Sequence, residues 1–171
     1  EYVRGQSLAE LTRPMASRQL VLIANDLARG LAAAHRRGVL HRDIKPANAM
    51  MSEDGVTKLL DFGLAELITD TQSAGKTRLA GTPNYMAPEM WNGAEPSVRT
   101  DIYALGVLLF ELYSGVHPSE GGELKAQVAQ ASTTLCALIE RCVAGDPLLR
   151  FPSADALLEA LDGLAVLVRQ T

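Results

Sequence analysis

Three polar side chains that could act together, Asp43, Lys45 and Asn48, fall within six residues of one loop. The loop reads His41-Arg42-Asp43-Ile44-Lys45-Pro46-Ala47-Asn48 and lies between two predicted ordered elements, so it can aim all three side chains at one point. A second carboxylate, Asp61, follows the next predicted strand and precedes Phe62 and a glycine. Asn48 and Asp61 offer the hard oxygen ligands that Mg²⁺ prefers, and this ion usually completes its shell with water and phosphate oxygens.

The elements on either side of this loop are a helix and a hairpin. Residues 17–37 predict an amphipathic helix with Ser17 as its N-cap, because apolar residues recur at spacings of three and four. The shared face of that helix consists of Leu20, Ile23, Ala24, Leu27, Leu31 and Ala34. Residues 49–60 predict two short strands around a turn at Gly55.

The rest of the chain reads as mostly helical. The pattern predicts helices over 100–114 and 133–143 and a third from residue 153 onward. Between residues 60 and 100 the periodicity is lost, and a long irregular segment inside a compact domain is usually functional. We therefore expect a mostly α fold with a small β-hairpin.

Composition bounds the class of protein. The chain has 171 residues, of which 47% are hydrophobic and 21% are charged, as is ordinary for one globular domain. A formal net charge of −4 gives no electrostatic argument for a nucleic-acid partner. Two cysteines, Cys136 and Cys142, match neither a disulfide framework nor a zinc site. No signal peptide or membrane segment is visible, so we expect a cytoplasmic domain.

Three sequence motifs occur in a fixed order along the chain. They are H-R-D-x-x-x-x-N at 41–48, D-F-G from Asp61, and A-P-E ending at Glu89. Asp61 lies 18 residues after Asp43 and 28 residues before Glu89. On these motifs the chain resembles the eukaryotic-like (Hanks-type) serine/threonine protein kinases. Asp101 begins a similar D-x-x-x-x-G, and Arg150 is similar to the late arginine that pairs with the A-P-E glutamate. The alanine-rich helices and the N-Y-M-A-P-E sequence at 84–89 favour a bacterial member of this kinase family.

The resemblance covers the chain but only one of the two kinase lobes. It implies a partial kinase domain over 1–171, a fragment of the α+β two-lobed fold, with a hinge at 1–8 and the C-terminal lobe at 9–171. The catalytic loop would be 41–48 and the activation segment 61–89. No G-x-G-x-x-G and no V-A-I-K-like strand occurs, so we expect the N-terminal lobe to be missing and this piece alone to be inactive. A membrane anchor in the parent chain would lie outside this stretch.

The resemblance also implies the cofactors, ATP and Mg²⁺ with Mn²⁺ as an alternative, and the role of each residue. Asp43 would accept the proton of the substrate hydroxyl, Lys45 would neutralise charge on the moving phosphoryl group, and Thr82 would hydrogen-bond both of them. Asn48 and Asp61 would hold the metal. The backbone of Glu1 and Val3 would meet the adenine edge. Ser7 would contact the ribose, and Met50 would form the floor of the adenine pocket.

The implied reaction is transfer of the γ-phosphoryl group of ATP to Ser or Thr hydroxyls of proteins. D-x-K-P-x-N and the Gly-Thr before A-P-E are typical of that group. Arg42 would collect a phosphate carried by the activation segment, with Thr77 as the first candidate acceptor. The other candidates are Ser73, Thr71 and Thr82. Dimerisation would allow autophosphorylation in trans.

Other polar residues are assigned structural roles. We expect His41 to pack under Phe62, Asp101 to anchor the backbone of the catalytic loop, and Arg150 to pair with Glu89. His35 and His117 read most simply as surface or capping residues, and the two cysteines as helix-packing thiols.

Two other classes of protein share part of this pattern. A pseudokinase acting as a scaffold would share the fold, and a catalytic lysine missing from the other lobe would identify it. A small-molecule phosphotransferase of the aminoglycoside or choline type would share the two aspartates. Thr82 and Pro88-Glu89 argue against the second class, because such enzymes have no peptide-binding platform there.

Overall fold

The computed structural model describes residues 4–62, 83–120 and 133–170, and within them the secondary structure is mostly helical. The strands are β1 (Gly5–Ser7), β2 (Ala49–Ser52) and β3 (Thr57–Leu59). The helices are α1 (Ser17–His35), α2 (Pro88–Trp91), α3 (Val98–Ser114), α4 (Thr133–Cys142) and α5 (Ala154–Gln170).

The predicted hairpin is confirmed, and a third strand extends it. β2 pairs antiparallel with β3, and Gly55 in the turn between them adopts a left-handed backbone with φ of 82°. β1 pairs antiparallel with the other edge of β2, which places Ser7 opposite Met50. We did not predict β1, because a three-residue strand inside the expected hinge is too short to show a period of two.

Helix α1 has the predicted amphipathic face but begins differently. Its N-cap is Ala16, which has no capping side chain, and the Ser17 hydroxyl instead lies 2.8 Å from the Tyr113 hydroxyl. The prediction of a Ser17 cap is therefore wrong, because the tertiary contact with Tyr113 takes that hydroxyl. Most of the predicted face is buried: Leu20, Ile23, Ala24, Leu27 and Leu31. The face packs along α5, and the carboxylate of Asp26 accepts the backbone N–H of Thr57, which ties the hairpin to α1.

Helix α3 runs through the middle of the core. It begins two residues before the predicted start, at a capping box in which the side chains of Ser97 and Thr100 bond each other's backbone. It ends at Gly115, whose left-handed backbone closes the last turn. Nearly all of its residues from Asp101 onward are buried, so the helix serves as the central support of the described structure.

In the described part of the predicted irregular segment, the short helix α2 lies within the A-P-E region. Residues 63–82, which include much of the expected activation segment, lie outside the described residues. Among the described helices, none combines the length and apolar character that a membrane span requires.

The contact between α3 and α4 depends on a glycine. A Cβ at Gly106 would lie 2.5 Å from Cys142 Cβ and 2.9 Å from Val143 Cγ1, so the helices approach as closely as they do only because Gly106 has no side chain. Cys136 and Cys142 are buried, and burial raises the pKa of the Cys142 thiol to about 12. Both cysteines therefore act as helix-packing residues, as predicted.

We predict opposite effects for two Gly→Ala substitutions. Gly106→Ala should lower the free energy of unfolding by about 1–3 kcal/mol, because the new methyl group forces α3 and α4 apart. Gly30→Ala, in the middle of α1, should raise it by about 0.5–1 kcal/mol, because the added Cβ would meet nothing within 4 Å beyond the neighbouring backbone of its own helix. Urea unfolding followed by circular dichroism measures both, and equal effects would contradict the packing argument.

Candidate active site

The structure brings together the three polar side chains of the 41–48 loop. The Lys45 ammonium lies 2.7 Å from Asp43 Oδ2, and the Asn48 amide nitrogen donates to the same oxygen at 2.9 Å. A second bond from the Asn48 amide nitrogen reaches the Asp43 backbone carbonyl at 2.8 Å. All three side chains are partly buried, so the carboxylate is held in one orientation by a charge and an amide.

Local backbone geometry explains why the loop turns back on itself. Pro46 occupies the first position of a 3₁₀ turn, Pro46–Asn48, where its missing N–H costs nothing. The Asn48 N–H closes that turn on the Lys45 carbonyl. The Ser7 hydroxyl donates to the Pro46 carbonyl at 3.2 Å, which ties the loop to β1. Asn48 is therefore brought back beside Asp43.

Asp61 is held at the edge of this cluster by its two neighbours. The Leu60 N–H donates to the Asn48 carbonyl at 2.8 Å, and the ring of Phe62 packs on His41 with centroids 4.5 Å apart. Asp61 itself is exposed and has φ of 60°, in the left-handed region that a non-glycine residue rarely adopts. The contacts of Leu60 and Phe62 on either side fix the backbone at Asp61.

His41 links the two loops through both ring nitrogens. Nε2 donates to the Leu60 carbonyl at 2.8 Å, since a carbonyl can only accept, and Nδ1 faces the Asp43 N–H at 3.4 Å. Burial lowers the pKa of His41 and outweighs the opposing effect of the Asp101 carboxylate. The imidazole is therefore neutral and serves as a structural bridge.

Asp101 holds the beginning of the catalytic loop. Its Oδ2 accepts the backbone N–H of His41 at 2.8 Å, and its Oδ1 accepts that of Arg42 at 2.9 Å. The carboxylate is 2% exposed, so both bonds are shielded from water. Arg42 has φ of 67°, and the bond from its N–H helps to hold that left-handed conformation immediately before Asp43.

A third donor to Asp101 was missed from the sequence. His35, at the end of α1, places Nε2 2.8 Å from Asp101 Oδ2, and its side chain is 6% exposed. The expectation of a surface or capping role for His35 is wrong. The two residues are 66 positions apart, so no local pattern could indicate the contact.

Arg150 and Glu89 form a bidentate ion pair beneath α2. The two guanidinium nitrogens lie 2.6 and 2.7 Å from the two carboxylate oxygens, and the Arg150 side chain is fully buried. Burial alone would raise the pKa of Glu89, but hydrogen bonds and the charge of Arg150 outweigh it and lower that pKa. The other N–H groups of Arg150 donate to the carbonyls of Arg99, Ala144 and Gly145.

Another ion pair, which was not predicted from the sequence, contacts the turn at residues 83–85 through Tyr85. Glu111 of α3 pairs with Arg13 and accepts a hydrogen bond from the Tyr85 hydroxyl at 2.5 Å. Burial and the bonded Glu111 carboxylate raise the pKa of Tyr85, so the phenol stays protonated as a donor. These residues come from three separate segments, and only the tertiary fold brings them together.

The residues expected to bind nucleotide are only partly described. Ser7 and Met50 are register partners in the sheet, next to the Pro46–Asn48 turn. Glu1 and Val3, Thr82, and the candidate phosphoacceptors Thr71, Ser73 and Thr77 lie outside the described residues.

The donor set fits a divalent cation that prefers oxygen. Both described hydrogen bonds of the Asn48 side chain use its nitrogen, so neither occupies the amide oxygen, and the Asp61 carboxylate is exposed. In the part of the chain that the structure describes, no group of three or more His, Cys, Asp or Glu could hold a metal by itself. Two protein ligands suit Mg²⁺ or Mn²⁺, which share their shell with phosphate and water.

Comparison with known proteins agrees with this geometry. The model of the protein kinase domain matches residues 1–160. Serine/threonine-protein kinase PkaB of Streptomyces coelicolor is 34% identical over 98% of this chain and 47% of its own length. PknL of Mycobacterium tuberculosis is 33% identical over 96% of this chain and 46% of its own, and PknB of Mycobacterium leprae is 38% identical over 71% and 20%. The chain thus spans less than half the length of these curated relatives.

We predict that Glu89→Gln lowers the free energy of unfolding by about 3 kcal/mol at pH 7, because it leaves the buried Arg150 charge without a counter-charge. The folded pKa of Glu89 lies below its ordinary value of 4.5, so the ion pair stabilises fully above that pH. Its contribution is lost as pH falls through the folded pKa, and the difference between wild type and variant should shrink at acid pH.

Urea unfolding over a series of pH values measures this difference. The control is Asp155→Asn, which breaks the exposed pair between Arg36 and Asp155 and should cost less than about 1 kcal/mol at any pH. A Glu89→Gln effect as small as the control's, or one independent of pH, would contradict the prediction.

Proposed function

The chain belongs to the protein kinase family, and we propose that it forms the catalytic C-terminal lobe of a kinase that phosphorylates Ser and Thr hydroxyls of proteins with ATP. The observation that carries this proposal is the cluster in which Lys45 and Asn48 both bond Asp43 Oδ2, with Asp61 following Leu60, whose N–H donates to the Asn48 carbonyl. Such a cluster supplies a base, a cation and oxygen ligands in one place, as phosphoryl transfer requires.

Asp43 is the base in this proposal. Its two bonds to Lys45 and Asn48 fix the plane of the carboxylate, so that it can orient the substrate hydroxyl and accept its proton as the new O–P bond forms. Lys45 places an ammonium beside the same point and stabilises negative charge on the transferred group. The protein contributes mainly position and electrostatics, which agrees with a site stabilised by buried anchors.

Asn48 and Asp61 would hold the divalent cation, Mg²⁺ or Mn²⁺. When bound, the cation supplies positive charge to the phosphates of ATP. The exposed carboxylate of Asp61 and the amide oxygen of Asn48 are the groups available for this purpose.

The Ser/Thr class of substrate follows from the Asp43-Ile44-Lys45-Pro46-Ala47-Asn48 sequence and from the names of the relatives. We assign Thr82 a hydrogen bond to Asp43 and Lys45. The relatives are named as protein kinases, which favours a protein substrate over a small-molecule acceptor. The assembled cluster favours catalysis over a scaffold role.

We further propose that a second lobe completes the ATP site. The sequence carries the catalytic-loop, D-F-G and A-P-E motifs but no glycine-rich phosphate loop. Residues 1–8 would form the hinge, with Glu1 and Val3 at the adenine and Ser7 and Met50 near the ribose and base. The 171-residue piece alone should then show no turnover.

Asp43→Asn in the full-length protein should lower kcat by about 10²-fold or more, because the amide cannot accept the hydroxyl proton. The assay is transfer from γ-labelled ATP to myelin basic protein, with Mg²⁺ or Mn²⁺. Asp54→Asn, at the exposed β2–β3 turn, is the matched control and should keep wild-type activity. A wild type that binds ATP without any transfer would support the pseudokinase alternative instead.

Regulation would act through the activation segment. The Arg42 backbone N–H donates to Asp101, immediately before Asp43. Its guanidinium would bind a phosphate on Thr77, and Ser73 and Thr71 are the other candidate acceptors. Phosphopeptide mapping of active enzyme should find Thr77 modified. Labelling of the Asp43→Asn variant by added wild type would support autophosphorylation in trans within a dimer, and an unmodified Thr77 in active enzyme would contradict the assignment.

A further inference from the structure

His117 makes a contact that the expected surface or capping role does not explain. Its Nε2 lies 2.7 Å from the backbone carbonyl of Asn84, and its Nδ1 lies 2.7 Å from the Ser119 hydroxyl and 3.2 Å from the Ser119 N–H. A carbonyl can only accept, so Nε2 carries the proton, and Nδ1 accepts from Ser119. One imidazole thus joins the loop after α3 to the turn Pro83–Tyr85.

The backbone that carries His117 is itself fixed. The Ser114 hydroxyl, at the end of α3, lies 2.8 Å from the Phe110 carbonyl and 2.9 Å from the Val116 carbonyl, and these two acceptors share its single proton. The Val116 N–H donates a hydrogen bond to the same hydroxyl oxygen at 3.2 Å. These bonds fix the direction in which the chain leaves the core, so the imidazole reaches Asn84 from a rigid support.

The turn Pro83–Tyr85, which His117 contacts, is also bonded to helix α3. Tyr85 bonds Glu111 through its hydroxyl, and its ring meets the His117 ring edge-on with centroids 5.8 Å apart. The Met86 N–H closes the turn on the Pro83 carbonyl at 3.2 Å. Tyr85 holds the turn from below, and His117 holds the Asn84 carbonyl at its exposed side.

We propose that His117 is a positioning residue for the protein substrate. This inference rests on the proposed function, because the turn Pro83–Tyr85 lies in the activation segment between Thr82 and Pro88-Glu89, where the sequence indicates a peptide-binding platform. The Nε2–H bond to the Asn84 carbonyl sets the orientation of that turn. The hydrogen bonds of His117 go to Asn84 and Ser119, so the loss of His117 should weaken binding of the protein substrate and leave ATP binding and the chemical step intact.

Three substitutions separate this role from general packing. His117→Gln places an amide nitrogen where Nε2 lies and can still donate to Asn84. His117→Asn ends at the position of Nδ1 and cannot reach Asn84. His117→Ala removes both contacts.

In the full-length protein, the Ala and Asn variants should raise KM for myelin basic protein by about three- to tenfold, as expected from loss of one hydrogen bond. Their kcat and KM for ATP should stay within about twofold of wild type, and the Gln variant should restore the substrate KM. Hydrogen exchange of the peptide covering 83–90 should be faster in the Ala and Asn variants and near wild type in the Gln variant.

The outcomes are distinguishable. A wild type that transfers no phosphoryl group defeats the proposed function itself. An active wild type whose Ala and Asn variants keep its substrate KM overturns the role of His117 and leaves the proposed function standing. A Gln variant as impaired as the Asn variant, or a loss shared equally by kcat and KM for ATP, also overturns it, because either result indicates packing alone.

Discussion

The candidate site depends on one buried carboxylate, that of Asp101. It accepts two consecutive backbone N–H groups of the catalytic loop and a third donor from His35, and it is 2% exposed. A buried charge is tolerated only where its hydrogen-bonding capacity is met, and here the partners that meet it are the loop and the end of α1. The central helix therefore sets the position of Asp43, although Asp101 lies beyond the reach of any substrate.

The other anchors follow the same principle of joining distant segments through a buried charge or ring. His41 connects the catalytic loop to the Asp61 corner, Arg150 connects α2 to the segment before α5, and Glu111 connects the 83–85 turn to Arg13. The groups assigned to the chemistry, Asp43, Lys45 and Asp61, are more exposed than these supports. A rigid interior thus presents a few polar side chains at one edge, as electrostatic preorganisation requires.

Features formed by residues close together in the sequence could be predicted, whereas most contacts between distant segments could not. The hairpin, α1 and the C-terminal end of α3 follow from local periodicity and turn residues, and the bonds among Asp43, Lys45 and Asn48 are confined to six positions. The expected contacts of Asp101 and Arg150 came from resemblance, and both contacts are present in the structure. The roles of His35 and His117 and the Ser17 contact had no local signal, because each partner comes from a different segment. Strand β1 was missed because its pairing with β2, and not its own pattern, makes it a strand.

Among the described residues, two that are not glycine have a left-handed backbone: Arg42, within the 41–48 loop, and Asp61, which follows β3. Each conformation costs about 1–2 kcal/mol relative to one that an L-residue prefers. Glycine would relieve that cost at either position but would remove the guanidinium or the carboxylate. With the proposed roles of Arg42 and Asp61, stability and turnover are opposed at these two positions, and selection for a more stable domain would have to act elsewhere in the molecule.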